Sequence, residues 1–163
     1  MLATAVDIRD LRPNDWPEVA AIYAEGLATR NATFETDVPS WDEWDATHLR
    51  EHRFVAEAAG DVVGWIALAP VSRRRCYAGV TEVTAYVTEA CRGLGIGSAL
   101  LAHAIASSEH GGIWTLQTSV FPENEPSRVL LERHGFREVG TRERIAQLDD
   151  VWRDTVLLER RSA

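Results

Sequence analysis

No stretch of this 163-residue sequence approaches the roughly 20 consecutive apolar residues that a membrane-crossing helix needs. A membrane is therefore not an expected partner. Cysteine is scarce: Cys76 and Cys91 form no C-x-x-C pair and adjoin no histidine cluster, so both read as reduced thiols, with no disulfide framework or metal site expected. Positive charge is also short, with 17 Lys and Arg against 25 Asp and Glu and a formal net charge of −8. Such a chain is poorly suited to neutralising phosphates along nucleic acid, and a small-molecule partner is expected instead. The first ten residues carry acidic groups and lack the basic-then-apolar order of a secretory signal, which makes the cytoplasm the expected location. Internal repeats and low-complexity segments are missing too, and the length suits one domain over residues 1–163.

What the sequence does have is concentrated in residues 80–103, VTEVTAYVTEACRGLGIGSALLAH. Val83, Ala85 and Val87 alternate with Glu82, Thr84 and Tyr86, as in a strand with one apolar and one polar face. Three glycines follow at alternate positions, in Arg92-Gly93-Leu94-Gly95-Ile96-Gly97, and residues 98–107 then place Leu100, Leu101, Ala104 and Ile105 on one helical stripe. Strand, glycine loop and helix in that order can gather several backbone N–H groups at the positive end of a helix, a site for an anion and most simply a phosphate. The dinucleotide fingerprint G-x-G-x-x-G fails, because Ser98 stands at its last position, and no Gly-Lys-Ser/Thr ending of a P-loop is present. A glycine-rich turn can also serve only to connect a strand to a helix.

Around this centre, residues 8–11 read as a short edge strand, and Asn14-Asp15-Trp16-Pro17 as a helix start that Gly26 ends or kinks. Residues 27–34 show no period. Ser40-Trp41-Asp42-Glu43 matches a capping box, followed by a helix burying Trp41 and Trp44. Strands are expected at 54–58 and 62–69, joined as a hairpin at Ala59-Gly60-Asp61, then at 113–120, 136–139 and 151–158. Val129, Leu130 and Leu131 anchor a short helix that Gly135 can end. His48 and His52 are spaced one turn apart on the second helix, but without a third ligand they read as a polar face. The six tryptophans suit core and interface better than base stacking on an acidic chain. Helices first, then hairpins with one crossover, make a mixed α+β or α/β domain.

The run Arg92-x-x-Gly95-x-Gly97 after a valine-rich strand resembles the pyrophosphate loop of the GNAT acetyltransferases. Four further matches resemble the phosphinothricin acetyltransferase branch: Phe34-Glu35-Thr36, Arg74 with Tyr77, Asn124-x-x-Ser127 before a helix ending His134-Gly135-Phe136, and Trp152-x-Asp154. The resemblance covers nearly the whole chain. It implies the GNAT fold, a mostly antiparallel central sheet with a splayed parallel pair, flanked by helices. It implies direct transfer of an acetyl group from acetyl-CoA to the primary amine of a small amino-acid-like acceptor of the phosphinothricin or methionine sulfoximine type, without a metal and within a homodimer. By position in the branch, Glu82 is the base and the backbone at Tyr86-Val87 meets the thioester carbonyl. Gly93, Leu94, Gly95, Ile96, Gly97 and Ser98 hold the diphosphate, with added charge from Arg92. Asn124 resembles the residue at the pantetheine or thiol, and Ser127 is either a cofactor contact or the helix cap. Phe34, Glu35, Arg74 and Tyr77 match acceptor-pocket positions, where an arginine suits a carboxylate or phosphinate.

Three departures bear on the acceptor and on the acid. Leu131 stands where many members carry a tyrosine acid, Arg153 interrupts the Trp-His-Asp segment of the branch, and Leu148-Asp149-Asp150 replaces Lys-His-Gly. They leave a non-catalytic acyl-CoA sensor, or transfer to a protein amine, as alternatives.

Overall fold

A computed structural model describes residues 5–163. Its elements are β1 (Val6–Asp10), α1 (Trp16–Ala28), α2 (Trp41–Thr47), β2 (Phe54–Ala58), β3 (Asp61–Pro70), β4 (Val80–Val87), α3 (Ile96–His110), β5 (Thr115–Val120), α4 (Glu125–Arg133), β6 (Arg137–Leu148) and β7 (Val151–Arg161). One seven-stranded sheet runs in the order β1-β2-β3-β4-β5-β7-β6, and β4 with β5 is its parallel pair. The expected mixed fold class is found.

Both faces of the sheet are covered, so its interior strand β3 is apolar almost throughout, with residues 62–68 buried. On one face, Leu100, Leu101, Ala104 and Ile105 of α3 pack against Phe54, Ile66, Leu68 and Val83. On the other, Val19, Ile22, Tyr23 and Leu27 of α1 and Trp44 of α2 close over Val55, Trp65 and Ala67. The capping box starts α2 as expected: the Glu43 N–H donates to Ser40 Oγ at 3.2 Å and the Ser40 N–H to the Glu43 carboxylate at 3.4 Å. Between β2 and β3, Ala59 (φ 51°) and Gly60 (φ 86°) form a two-residue turn with both φ positive, the geometry that matches strand twist.

Several expectations are corrected. Gly26 does not end α1, which runs on to Ala28; a Cβ there would lie 2.3 Å from the Tyr86 ring, so the missing side chain admits that ring against the helix. Of the three expected anchors of α4, Val129 is exposed and Leu131 is the buried one. His48 and His52 share no helix: His48 follows α2 and donates Nδ1–H to the Trp44 carbonyl at 2.7 Å, whereas His52 hydrogen-bonds Ser107 Oγ at 2.7 Å. The strand expected at 136–139 continues to Leu148 and turns into β7 through Asp149 (φ 50°) and Asp150 (φ 63°). All of β6 but Ala146 and Leu148 is exposed, so no buried face imposed an alternation that could be read. Its register slips between Arg142 and Ala146, where Arg144 adopts φ 46° and its N–H donates to Asp154 at 2.8 Å.

No helix among the described residues is long and apolar enough to cross a membrane.

Candidate active site

Parallel pairing between β4 and β5 ends at Glu82↔Gln117, although β4 continues to Val87 and β5 to Val120. Each strand stays bound to its outer neighbour, β4 to β3 as far as Gly64↔Val87 and β5 to β7 as far as Val120↔Val156. The sheet therefore opens like a V from its middle.

Peptide direction alternates along a strand, so the ends of β4 identify which groups face the opening. The Val80 carbonyl accepts from Val71 N–H and the Thr88 N–H donates to the Val63 carbonyl, which assigns even-numbered residues to β3. The Gly79 carbonyl accepts from the Trp114 and Thr115 N–H groups, which assigns odd-numbered residues to β5. The last parallel bridge occupies the Val83 N–H, leaving Ala85 and Val87 with N–H groups directed at a gap. Of the expected pair Tyr86-Val87, then, Val87 offers its peptide to the cleft. Tyr86 turns its peptide to β3 and contributes its ring, stacked on Tyr23 at 5.1 Å.

The glycine loop lies beyond the open end of β4. The Glu25 carboxylate on α1 accepts from the Glu89 N–H at 2.8 Å and from Thr88 Oγ at 3.1 Å, tying down the start of the loop. Gly93 (φ 79°) and Gly95 (φ 84°) both sit in the left-handed region that L side chains rarely adopt. Neither would meet a clash from a Cβ, so conformation rather than space calls for glycine there. Gly97 lies inside α3, where a Cβ would reach Leu130 at 3.4 Å. Leu94 is exposed, whereas Ile96 is a core side chain that brings only its backbone to the helix start. Arg92 Nε donates to the Val87 carbonyl at 3.3 Å, and Ser98 Oγ hydrogen-bonds His134 Nε2 at 2.8 Å.

Three adjoining lobes make up the cleft. The first lies between Gly26, Thr29 and Asn31 on one side and Ala85, Val87, Arg92, Asn124, Pro126 and Ser127 on the other. Glu82, Tyr86, Thr118, Ser119, Asn124 and Leu131 surround the middle lobe. A third lobe of about 270 Å³ is lined by Thr33, Phe34, Glu82, Ser119, Phe121, Arg142, Ile145 and Thr155. Glu82 belongs to the second and third, at the junction. Water reaches its carboxylate, yet protein crowds it on most sides, and this desolvation pushes its pKa above the usual glutamate value against the opposing charge of Arg142.

The other expected residues divide. Asn124 is itself the cap of α4: its side-chain oxygen accepts from the Ser127 N–H at 3.4 Å while its amide donates to the Asn31 carbonyl at 3.2 Å. Ser127 lines the first two lobes and is not the cap. Phe34 enters the third lobe edge-on to Phe121 at 5.0 Å. Glu35 is not there; it lines a separate pocket with Tyr23, Asp37, Trp44 and His48. Arg74 and Tyr77 pair with each other, 5.5 Å from guanidinium to ring, near the turn Arg75–Tyr77, and line none of the three lobes. Arg153 sits 3.9 Å over the Phe121 ring, bonded to the Arg30 carbonyl and Glu123.

Sequence reading missed Ser119, Phe121, Arg142, Ile145 and Thr155. Only the pairing of β5, β6 and β7, with the residue after β5 and the bulge of β6, brings them together, and no local motif announces that. Among the described residues no group of three or more His, Cys, Asp or Glu is placed to hold a metal.

Comparisons with known proteins agree with this geometry. A model of the acetyltransferase (GNAT) family matches residues 7–136. YwnH of Bacillus subtilis (strain 168), which bears the name of a phosphinothricin acetyltransferase, is 36% identical over 151 residues, 90% of this chain and 93% of its own. The L-methionine sulfoximine/L-methionine sulfone acetyltransferase of Pseudomonas aeruginosa is 25% identical over 161 residues, 95% of this chain and 94% of its own. The crystal structure of a GNAT superfamily phosphinothricin acetyltransferase from Sinorhizobium meliloti in complex with AcCoA shares the fold with a TM-score of 0.87 at 23% identity, covering 97% of this chain and 89% of that one. A family match over most of the sequence, joined to a splayed parallel pair with a glycine loop at its mouth, means that this chain belongs to the GNAT family of acetyltransferases.

Proposed function

We propose that this chain moves the acetyl group of acetyl-CoA directly to the primary amine of a small amino-acid-like acceptor, of the phosphinothricin or methionine sulfoximine type. The observation that carries the reading is the position of Glu82, at the junction of a lobe walled by unpaired strand N–H groups and a lobe of acceptor size.

The residues present fit acetyl-CoA. Backbone N–H groups of residues 93–98, at the positive end of α3, receive the diphosphate, and exposed Arg92 adds charge. Ser98 gives its N–H, since its hydroxyl is held by His134. The pantetheine lies along the open edge of β4 past Asn124 and Ser127, and the thioester carbonyl accepts from the Ala85 or Val87 N–H. Glu82 takes a proton from the acceptor ammonium, directly or through one water, at a pKa that burial has moved toward useful basicity. The amine nitrogen then forms the C–N bond as the C–S bond breaks; the leaving thiolate is stable enough to depart without an acid at Leu131, and the second proton shed by the nitrogen goes to that thiolate or to water. Neither cysteine nor histidine lines the three lobes and the chain contains no lysine, so none of these groups is available to carry an acetyl intermediate.

The reading includes a cytoplasmic setting, where acetyl-CoA is at hand, and pairing of two copies. Exposed Val139, Ile145, Val151 and Trp152 on the β6–β7 hairpin support a homodimer, and Ile145 also lines the acceptor lobe. Light scattering is expected to give twice the chain mass of 18.1 kDa; a monomer at micromolar concentration contradicts the pairing. CoA release followed with a thiol reagent tests the function itself. Release is expected with phosphinothricin, methionine sulfoximine or methionine sulfone, and silence with these amines despite bound acetyl-CoA supports the sensor instead.

A further inference from the structure

We infer that Arg142, on the outer strand of the β6–β7 hairpin, is the residue that reads the carboxylate of the amino-acid-like acceptor in its lobe. The inference rests on the acetyl-transfer reading for the identity of the lobe.

The chain has no lysine, so every fixed cation is an arginine. Only one of these guanidinium groups belongs to the lobe that also holds Glu82. Arg142 has no carboxylate or carbonyl partner among the described residues, unlike Arg153, which is occupied by the Arg30 carbonyl and Glu123 behind the Phe121 ring. An arginine with no ion-pair partner and a single carboxylate lining one small lobe fit the two ends of a zwitterion: ammonium toward Glu82, carboxylate toward Arg142. The hydroxyls of Ser119 and Thr155 line the same lobe as further polar contacts, and Phe34, Phe121 and Ile145 supply an apolar wall for the side chain.

The backbone device that positions Arg142 is also visible. Register with β7 holds through Arg142↔Thr155, then slips until Ala146↔Arg153, and the Asp154 carboxylate pins the bulge by accepting from the Arg144 N–H at 2.8 Å. The bulge re-aims the strand next to Arg142, as bulges beside functional sites do. Arg74, the arginine expected to serve as the anion reader, stacks on Tyr77 outside the lobe.

The test compares methionine sulfone, its α-carboxamide and the corresponding decarboxylated amine as acceptors, for the full-length protein and for Arg142→Gln, Arg142→Lys and Arg74→Gln. Binding of the same three compounds is measured by calorimetry in the presence of CoA. The wild type should favour the acid over the carboxamide, and Arg142→Gln should lower kcat/KM for the acid by roughly 10- to 100-fold, mainly through KM, with the carboxamide little changed. Arg142→Lys should restore part of the preference. Equal losses on acid and carboxamide, or loss of the preference in Arg74→Gln instead, overturn the role of Arg142 while leaving acetyl transfer intact. If no amine is acetylated yet calorimetry shows acid binding that Arg142→Gln abolishes, the anion site stands and the transfer reading falls. No turnover together with no difference in binding between acid and carboxamide overturns both.

Discussion

Glu82→Gln is expected to lower kcat/KM by roughly 10²- to 10⁴-fold, the range spanned by loss of a general base. The substitution keeps shape and polarity, and the Glu82 side chain makes no hydrogen bond within the described residues, so folding should be unaffected. The pH profile gives the mechanistic readout. With its pKa raised by burial, against the lowering charge of Arg142, the ionised base is lost as pH falls through a value above the ordinary glutamate range, and kcat/KM should fall with it. Glutamine removes that limb. The stability sign is the reverse of a paired carboxylate: a raised pKa favours the protonated folded form, so stability contributed by Glu82 is present below its unfolded pKa and is lost as pH rises through the folded one. At neutral pH the glutamine variant should melt no lower than wild type. Full turnover in a folded Glu82→Gln protein would remove Glu82 from the chemistry.

Leu100→Ala, outside the cleft, should produce a large loss of stability, about 2–5 kcal/mol. Leu100 is fully buried on α3, and its Cδ1 fills the space over Gly64, where a Cβ would come within 3.1 Å. It therefore clamps the helix to β3, and the same helix carries the glycine loop on its first turn. At this chain length each kcal/mol moves Tm by roughly 2–4 °C, so a drop of about 4–20 °C is expected in a thermal melt. Because α3 also aims its N-terminus at the diphosphate, acetyl-CoA should rescue part of that loss only at concentrations above those that protect wild type. A change below about 1 kcal/mol would mean that α3 is not held from this residue.

How much could be read beforehand follows from which faces are buried. The bounds of β4 were legible from its β-branched run, and the stripe on α3 because all four of its residues meet the sheet. The resemblance then added what pattern cannot show, the splay between β4 and β5. Exposed structure was the blind spot: β6 has scarcely any buried positions, so its second half, its bulge and Arg142 left no period to detect. Its turn was hidden as well, since Asp149-Asp150 takes positive φ without the glycine that usually marks such a hairpin. Tyr86 illustrates a different limit. Residue type could not say which way its peptide points; the register with Trp65 does, and it moves the backbone donors to Ala85 and Val87.

The central claim is that one cleft holds acetyl-CoA and an amine together, with the base between them. Initial rates of CoA release, measured over a matrix of acetyl-CoA and methionine sulfone concentrations, test it most directly. Lines that intersect in the double-reciprocal plot are predicted, because both substrates must be bound before the acetyl group moves. Parallel lines, with an acetylated protein detectable by mass before the amine is added, would contradict it.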